Sequence, residues 1–220
     1  MDNSVALVQA YLRVNGYFTV AEYPVVEAMR EGGYRMATDL DILAFRFPGS
    51  GRLVPRSRQA SGNDRLLAIP PDEVLAIGRD EADMIIGEVK EGRAELNQAA
   101  TDRSVLWSAL ARFGCCPHEH VPPLVDALLR HGEVTTPGGH RVRMVAFGSI
   151  APSGSHRYAV ILLGHVVQFL RDYLRENWDV LHTAEFKDPA FGFLMTLGKA
   201  SRGLPARMPH DPPAITRASI

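Results

Sequence analysis

The sequence predicts a mixed α/β domain, and three observations predict it. A helical apolar period opens the chain, extended stretches rich in aromatic and β-branched residues follow, and helical spacing then returns downstream.

In residues 5–14 the apolar side chains Val5, Val8 and Leu12 fall on one helical face, with Asn3 and Ser4 before them and Gly16 after. That pattern predicts a capped amphipathic helix. Residues 18–26 and 35–47 read as two strands joined by a turn at Gly32-Gly33. Residues 48–66 carry Pro48, Gly49, Gly51, Pro55 and Gly62, which break any period, and Arg52, Arg56, Arg58 and Arg65, which concentrate positive charge. They read as an inserted loop, and the insertion as a whole takes in residues 48–82, with a short helix after Pro70-Pro71. A third strand is expected over residues 83–90.

After Asn97, Leu106, Leu110 and Phe113 recur at helical spacing up to Gly114. A second helix is expected directly afterwards, then another over 121–130, and strands over 142–147 and 158–163 separated by Pro152-Ser153-Gly154-Ser155. Val167, Leu170, Leu174, Trp178 and Leu181 predict one long amphipathic helix. Trp107, Trp178 and Phe169 sit at helical positions and read as core. From Ser201 onward, prolines and few large apolar groups predict a disordered tail.

Composition excludes several classes. At 46% hydrophobic and 22% charged, the chain can bury a core, and a net charge of −1 gives no general attraction to polyanions, so nucleic-acid contact requires a local basic patch. The longest apolar stretch, residues 158–170, is interrupted by Gly164, His165 and Gln168 and is short of the roughly 20 residues needed to span a bilayer. The amino terminus lacks the basic flank of a secretory signal, and two adjacent cysteines, Cys115 and Cys116, suit a reducing compartment. A cytoplasmic protein without a membrane span is the expectation.

The residues that carry chemistry are carboxylates and a lysine. In a strand, positions two apart share a face, so Glu88 and Lys90 point the same way, as do Asp39 and Asp41 on the earlier strand. If these strands are neighbours, Asp41 and Glu88 meet at one end of the sheet and offer oxygen ligands to a hard divalent cation, Mg²⁺ or Mn²⁺. Such an ion activates water and neutralises charge on a phosphoryl group, and an adjacent ammonium, Lys90, can orient the nucleophile or stabilise the transition state.

Thr38-Asp39-Leu40-Asp41-Ile42-Leu43-Ala44 followed by Ile86-Gly87-Glu88-Val89-Lys90 resembles the bipartite signature of the PD-(D/E)xK, or restriction-endonuclease-like, nuclease superfamily. Tyr11-Leu12-Arg13-Val14-Asn15-Gly16-Tyr17 is similar to the helix-to-strand entry of its Holliday-junction-resolvase-like branch. The resemblance implies a mixed central sheet flanked by helices over residues 1–163, with a helical carboxy-terminal extension over 164–200 and the tail over 201–220. It implies Asp41 and Glu88 as metal ligands, the Val89 carbonyl as a further one, Lys90 as the catalytic lysine, and DNA as substrate. Leu40 stands where the signature has proline. The first helix offers Gln9 where some members carry an acidic residue, so Asp39, then Glu22, are the supplementary ligand candidates.

Cys115-Cys116-Pro117-His118-Glu119-His120 has metal-ligating residue types but not the spacing of a zinc site, and reads as a solvated connection. His165 reads as a capping or packed histidine. Arg52, Arg56, Arg58 and Arg65 are candidates for phosphate contact, which would position DNA without reading it. A homodimer is expected for double-strand cutting. The rival reading is a catalytically silent nuclease-fold module that binds nucleic acid or a protein partner, for instance in a prokaryotic defence complex.

Overall fold

A computed structural model describes residues 2–50, 70–78, 80–182 and 186–203. The Arg52, Arg56, Arg58 and Arg65 cluster and the segment 204–220 lie outside the described residues.

The first helix, α1 (Asn3–Val14), starts where the Asp2 carboxylate accepts the Ser4 amide, and ends as the Asn15 side chain donates to the Tyr11 carbonyl. A meander of β1 (Phe18–Ala28), β2 (Tyr34–Arg46) and β3 (Asp83–Arg93) follows. Helices α2 (Arg103–Phe113) and α3 (Val121–His131) lead to β4 (Glu133–Thr135) and β5 (Arg141–Ile150). Next come β6 (Ala159–Leu162), α4 (Leu163–Glu176), α5 (Trp178–Leu181) and α6 (Pro189–Gly203).

The fold is α/β with one mixed sheet. β1, β2 and β3 pair antiparallel, and β5 lies parallel to β3 after the helical crossover. The far edge of β5 is shared: β4 pairs with it antiparallel at residues 141–143, and β6 pairs parallel at 145–148. Helices cover both faces. Val5, Val8 and Leu12 of α1, Val166 and Leu170 of α4 and Phe191 of α6 pack with Ile42, Ile85, Val145 and Phe147 on one face. Val105, Leu106 and Leu110 of α2 and Leu124 and Leu128 of α3 pack with Leu43, Met84, Ile86 and Met144 on the other. Among the described residues no helix is long and apolar enough to cross a membrane.

Several expectations change. The segment after Gly114 forms one helix, α3, preceded by a single 3-10 turn at His118–His120, because Pro122 and Pro123 suit a first helical turn and not the middle of a helix. The helix expected after Pro70-Pro71 is a 3-10 turn at Glu73–Leu75, capped by Asp72. The long helix breaks at Asn177, whose side chain donates to the Tyr173 carbonyl and ends α4. Residues 201–203 continue α6 instead of beginning a tail. β4 has only three residues, too short for its period to be visible in the sequence.

Candidate active site

The site forms where β2 leaves its ladder with β3. Regular pairing runs as far as Ile42 opposite Gly87, so the next step faces Asp41 toward Glu88. β2 also bends there. Strict alternation would send Leu40 and Ile42 to one face, yet Ile42 joins the α1 side of the core and Leu40 the α2 side. On β1, Glu22 lies between the pairs Ala21–Ile42 and Tyr23–Leu40 and takes a left-handed φ of 52°, the local conformation that accommodates this bend.

The bend turns the Asp41 carboxylate to the strand end, where its Oδ2 accepts the Val89 amide at 2.7 Å. A side chain therefore takes over from the backbone ladder between the two residues of β3 that matter, Glu88 and Lys90. A residue's N–H and C=O face the same neighbour in a strand, so the Val89 carbonyl also faces β2.

Glu88 and Lys90 share the α2 face of β3, as their spacing predicts. Glu88 is buried, its Oε1 accepts from Asn97 Nδ2 at 2.6 Å, and Lys90 Nζ lies 3.8 Å from the same oxygen. The Asn97 Oδ1 atom accepts the Ala100 amide at 2.6 Å, so the segment leading into α2 holds the amide group that holds Glu88.

Electrostatics link these groups. Burial pushes the Glu88 carboxyl up to about 7, the negative charge of Asp41 pushes it the same way, and Lys90 and the Asn97 hydrogen bond oppose the rise. Asp41 is also raised, chiefly by burial, against the lowering effect of the Val89 amide, with Asp39 and Asp2 adding like charge. Two partly buried carboxylates whose proton affinities are both raised, Glu88 in part by the charge of Asp41, are oxygen donors of the kind a hard cation would relieve.

The supplementary candidates divide. Asp39 is exposed on β2 and acts on both carboxylates through its charge. Glu22 is exposed at the bend on β1, and Gln9 is buried on α1 with no hydrogen bond to Asp41 or Glu88. Among the described residues, no group of three or more His, Cys, Asp or Glu side chains is arranged to hold a metal ion. The Cys115 to His120 run is not the fully solvated connection expected: Cys115 is buried, burial and the neighbouring Cys116 push its thiol up to about 12, and His118 packs edge-on to Trp107. His165 caps no helix; its Nε2 meets Asp72 Oδ2 at 2.5 Å, and the same oxygen accepts from Tyr11 at 2.7 Å.

Two participants were not legible as site residues. Asn97 is recognisable as an Asx-type start before Ala99-Ala100, but nothing local says that its amide reaches Glu88. Asp2 signals a helix cap, and only the fold brings its charge toward Asp41. No family model, curated protein or solved structure matches this chain.

Proposed function

We propose that the chain is a metal-dependent phosphodiesterase acting on DNA, with Asp41, Glu88 and Lys90 as its working residues and a restriction-endonuclease-like fold as its frame. The observation that carries this reading is the Asp41 to Val89 hydrogen bond, which seats one carboxylate between a second carboxylate and a lysine at a sheet end. The three-strand meander followed by a helical crossover to a parallel strand supports the same frame.

Asp41 and Glu88 would hold Mg²⁺ or Mn²⁺, with the Val89 carbonyl as the third oxygen. The ion would supply Lewis acidity toward the phosphoryl oxygens and a more acidic bound water. The chain's own contributions are distinct from this. Asn97 fixes the Glu88 rotamer and leaves its second oxygen available. Lys90 brings an ammonium to the edge of the site, where it can orient the attacking water and meet the charge that grows on a phosphate. Asp39 adds negative charge that favours cation binding. Two copies of the chain would cut both strands of a duplex, which a sedimentation mass of a single chain would contradict.

The absence of a third side-chain ligand among the described residues favours a second reading, a nuclease-fold module that binds without turnover. One assay separates them. With Mg²⁺ or Mn²⁺, single-stranded, duplex or branched DNA is expected to be cleaved, and Lys90→Ala to slow cleavage by about 100-fold or more. No cleavage of any of these, or equal rates for the variant, would leave only the binding module.

A further inference from the structure

Beside the segment that holds Glu88 runs a cleft the proposed chemistry does not use. One part, about 460 Å³, is lined by Glu95, Leu96 and Thr101, which flank Asn97, and by His156, Arg157 and Tyr158. The other, about 530 Å³, shares His156, Arg157 and Tyr158 and extends to Arg130 and His131 at the end of α3. Thr101 Oγ1 reaches the Gln98 carbonyl at 3.0 Å, so the cleft wall and the Glu88 support are one structural unit. Both volumes fall in the range of roughly 300–1,000 Å³ typical of ligand clefts.

The charges in the cleft are unequally committed. Arg157 is exposed and its guanidinium has no hydrogen bond or ion pair with the described residues. Arg130 is exposed too, and the acidic group beside it, Asp126, is already bonded to Arg103. The acids are occupied: Glu133 pairs with Arg141 at 2.6 Å, and Glu95 accepts the Ser153 amide at 3.4 Å. In the same part of the cleft as the two arginines His156 stacks on Tyr158, with ring centroids 4.9 Å apart and planes 27° from parallel. The Tyr158 carbonyl can only accept, so His156 Nδ1 donates to it at 2.8 Å and locks the stack in place. The backbone behind is equally fixed, since a Cβ on Gly132 would lie 1.5 Å from the Arg157 carbonyl oxygen.

Uncommitted guanidinium groups that line one cleft with a fixed aromatic stack suit phosphates and unpaired bases. A duplex would keep its bases stacked on each other and out of reach of such a platform. We propose that this cleft binds an unpaired nucleic-acid strand, Arg130 and Arg157 on its phosphates and the His156–Tyr158 pair against a base. It adds to the nuclease reading above, on which it rests for its biological context, a contact with the single-stranded part of a substrate, such as a branched DNA offers.

The test is fluorescence anisotropy of a labelled oligothymidylate with the full chain in EDTA, where no metal-dependent cleavage can occur. Binding is expected to weaken by roughly tenfold or more in the double variant Arg130→Glu, Arg157→Glu, and to fall steeply with salt. Arg171→Glu with Arg175→Glu changes net charge equally on α4 and is expected to bind as the parent does. Thermal melting of each variant checks that it is folded. Equal binding by parent and cleft variant, equal loss in the α4 variant, no binding at all, or displacement of the oligonucleotide by polyglutamate but not by unlabelled strand would each overturn the inference. Cleavage by a chain whose cleft variant binds normally would sink this inference alone. Cleft-dependent binding without cleavage under any metal would sink the nuclease reading and leave this one standing.

Discussion

At the scale of single residues, Glu88 carries the largest consequence. Its carboxyl is pushed up to about 7 from an ordinary 4.5, so the folded chain prefers the protonated form. The sign follows from linkage: a raised carboxyl costs nothing below the unfolded value, and the cost grows as pH rises from about 4.5 to about 7 and is complete above that. Glu88→Gln keeps an acceptor for Asn97 and removes the charge. In metal-free buffer it is expected to stabilise the chain by up to about 3 kcal/mol at pH 8 and by almost nothing at pH 4, read as a shift in unfolding midpoint. Saturating Mg²⁺ should narrow the gap at pH 8 for the parent only. A gap that is the same at both pH values would mean that the charge of Glu88 is not what the site strains against. Asn97→Ala addresses the same carboxylate from its partner: Mg²⁺ affinity measured by calorimetry should fall by about 10-fold or more, and an unchanged affinity would show that Glu88 does not need to be held.

At the scale of elements, the site depends on how closely β3, β5 and the segment after β3 approach one another. Gly148 on β5 faces Ala94, and a Cβ there would come within 2.5 Å of the Ala94 nitrogen, a backbone atom that also donates to the Ile150 carbonyl. Gly148→Ala is expected to cost roughly 1–3 kcal/mol in chemical denaturation and to move the start of the 95–101 segment, lowering cleavage along with stability. Full stability in that variant would show that the approach is not as tight as described. The elements differ in how much of them the sequence reveals. β2 and β3 are long, apolar and flanked by turn signals, so Asp41, Glu88 and Lys90 could be placed on strands by period alone. The break at Asn177 could not, because Trp178 and Leu181 continue the apolar spacing across it and only a side-chain hydrogen bond ends the helix. The bend at Asp41 was equally hidden. Nothing in Ala21-Glu22-Tyr23 announces a left-handed backbone, and it is this bend, not strict alternation, that turns Asp41 toward Val89.

Across the whole molecule, two apolar cores on opposite faces of one sheet must unfold together for the site to behave as a rigid unit, and a buried polar cluster ties the strands that separate them. Arg143 of β5 meets Asp83 of β3 through two of its nitrogens, at 3.0 and 2.9 Å, and Tyr17, at the entry to β1, donates to Asp83 Oδ2 at 2.5 Å. All three are buried, with Asp83 fully so. Removing one partner leaves a charge without water or counter-ion, which costs roughly 3–5 kcal/mol, whereas replacing both with apolar groups of similar size removes the penalty. Arg143→Met is therefore expected to lower stability by about that amount in a single transition seen alike by far-UV circular dichroism and by tryptophan fluorescence, since Trp107 and Trp178 report on opposite faces. Adding Asp83→Leu should recover much of the loss. Two separate transitions in the single variant would show that the faces unfold independently, and that the carboxylate site at the strand ends has only one core beneath it.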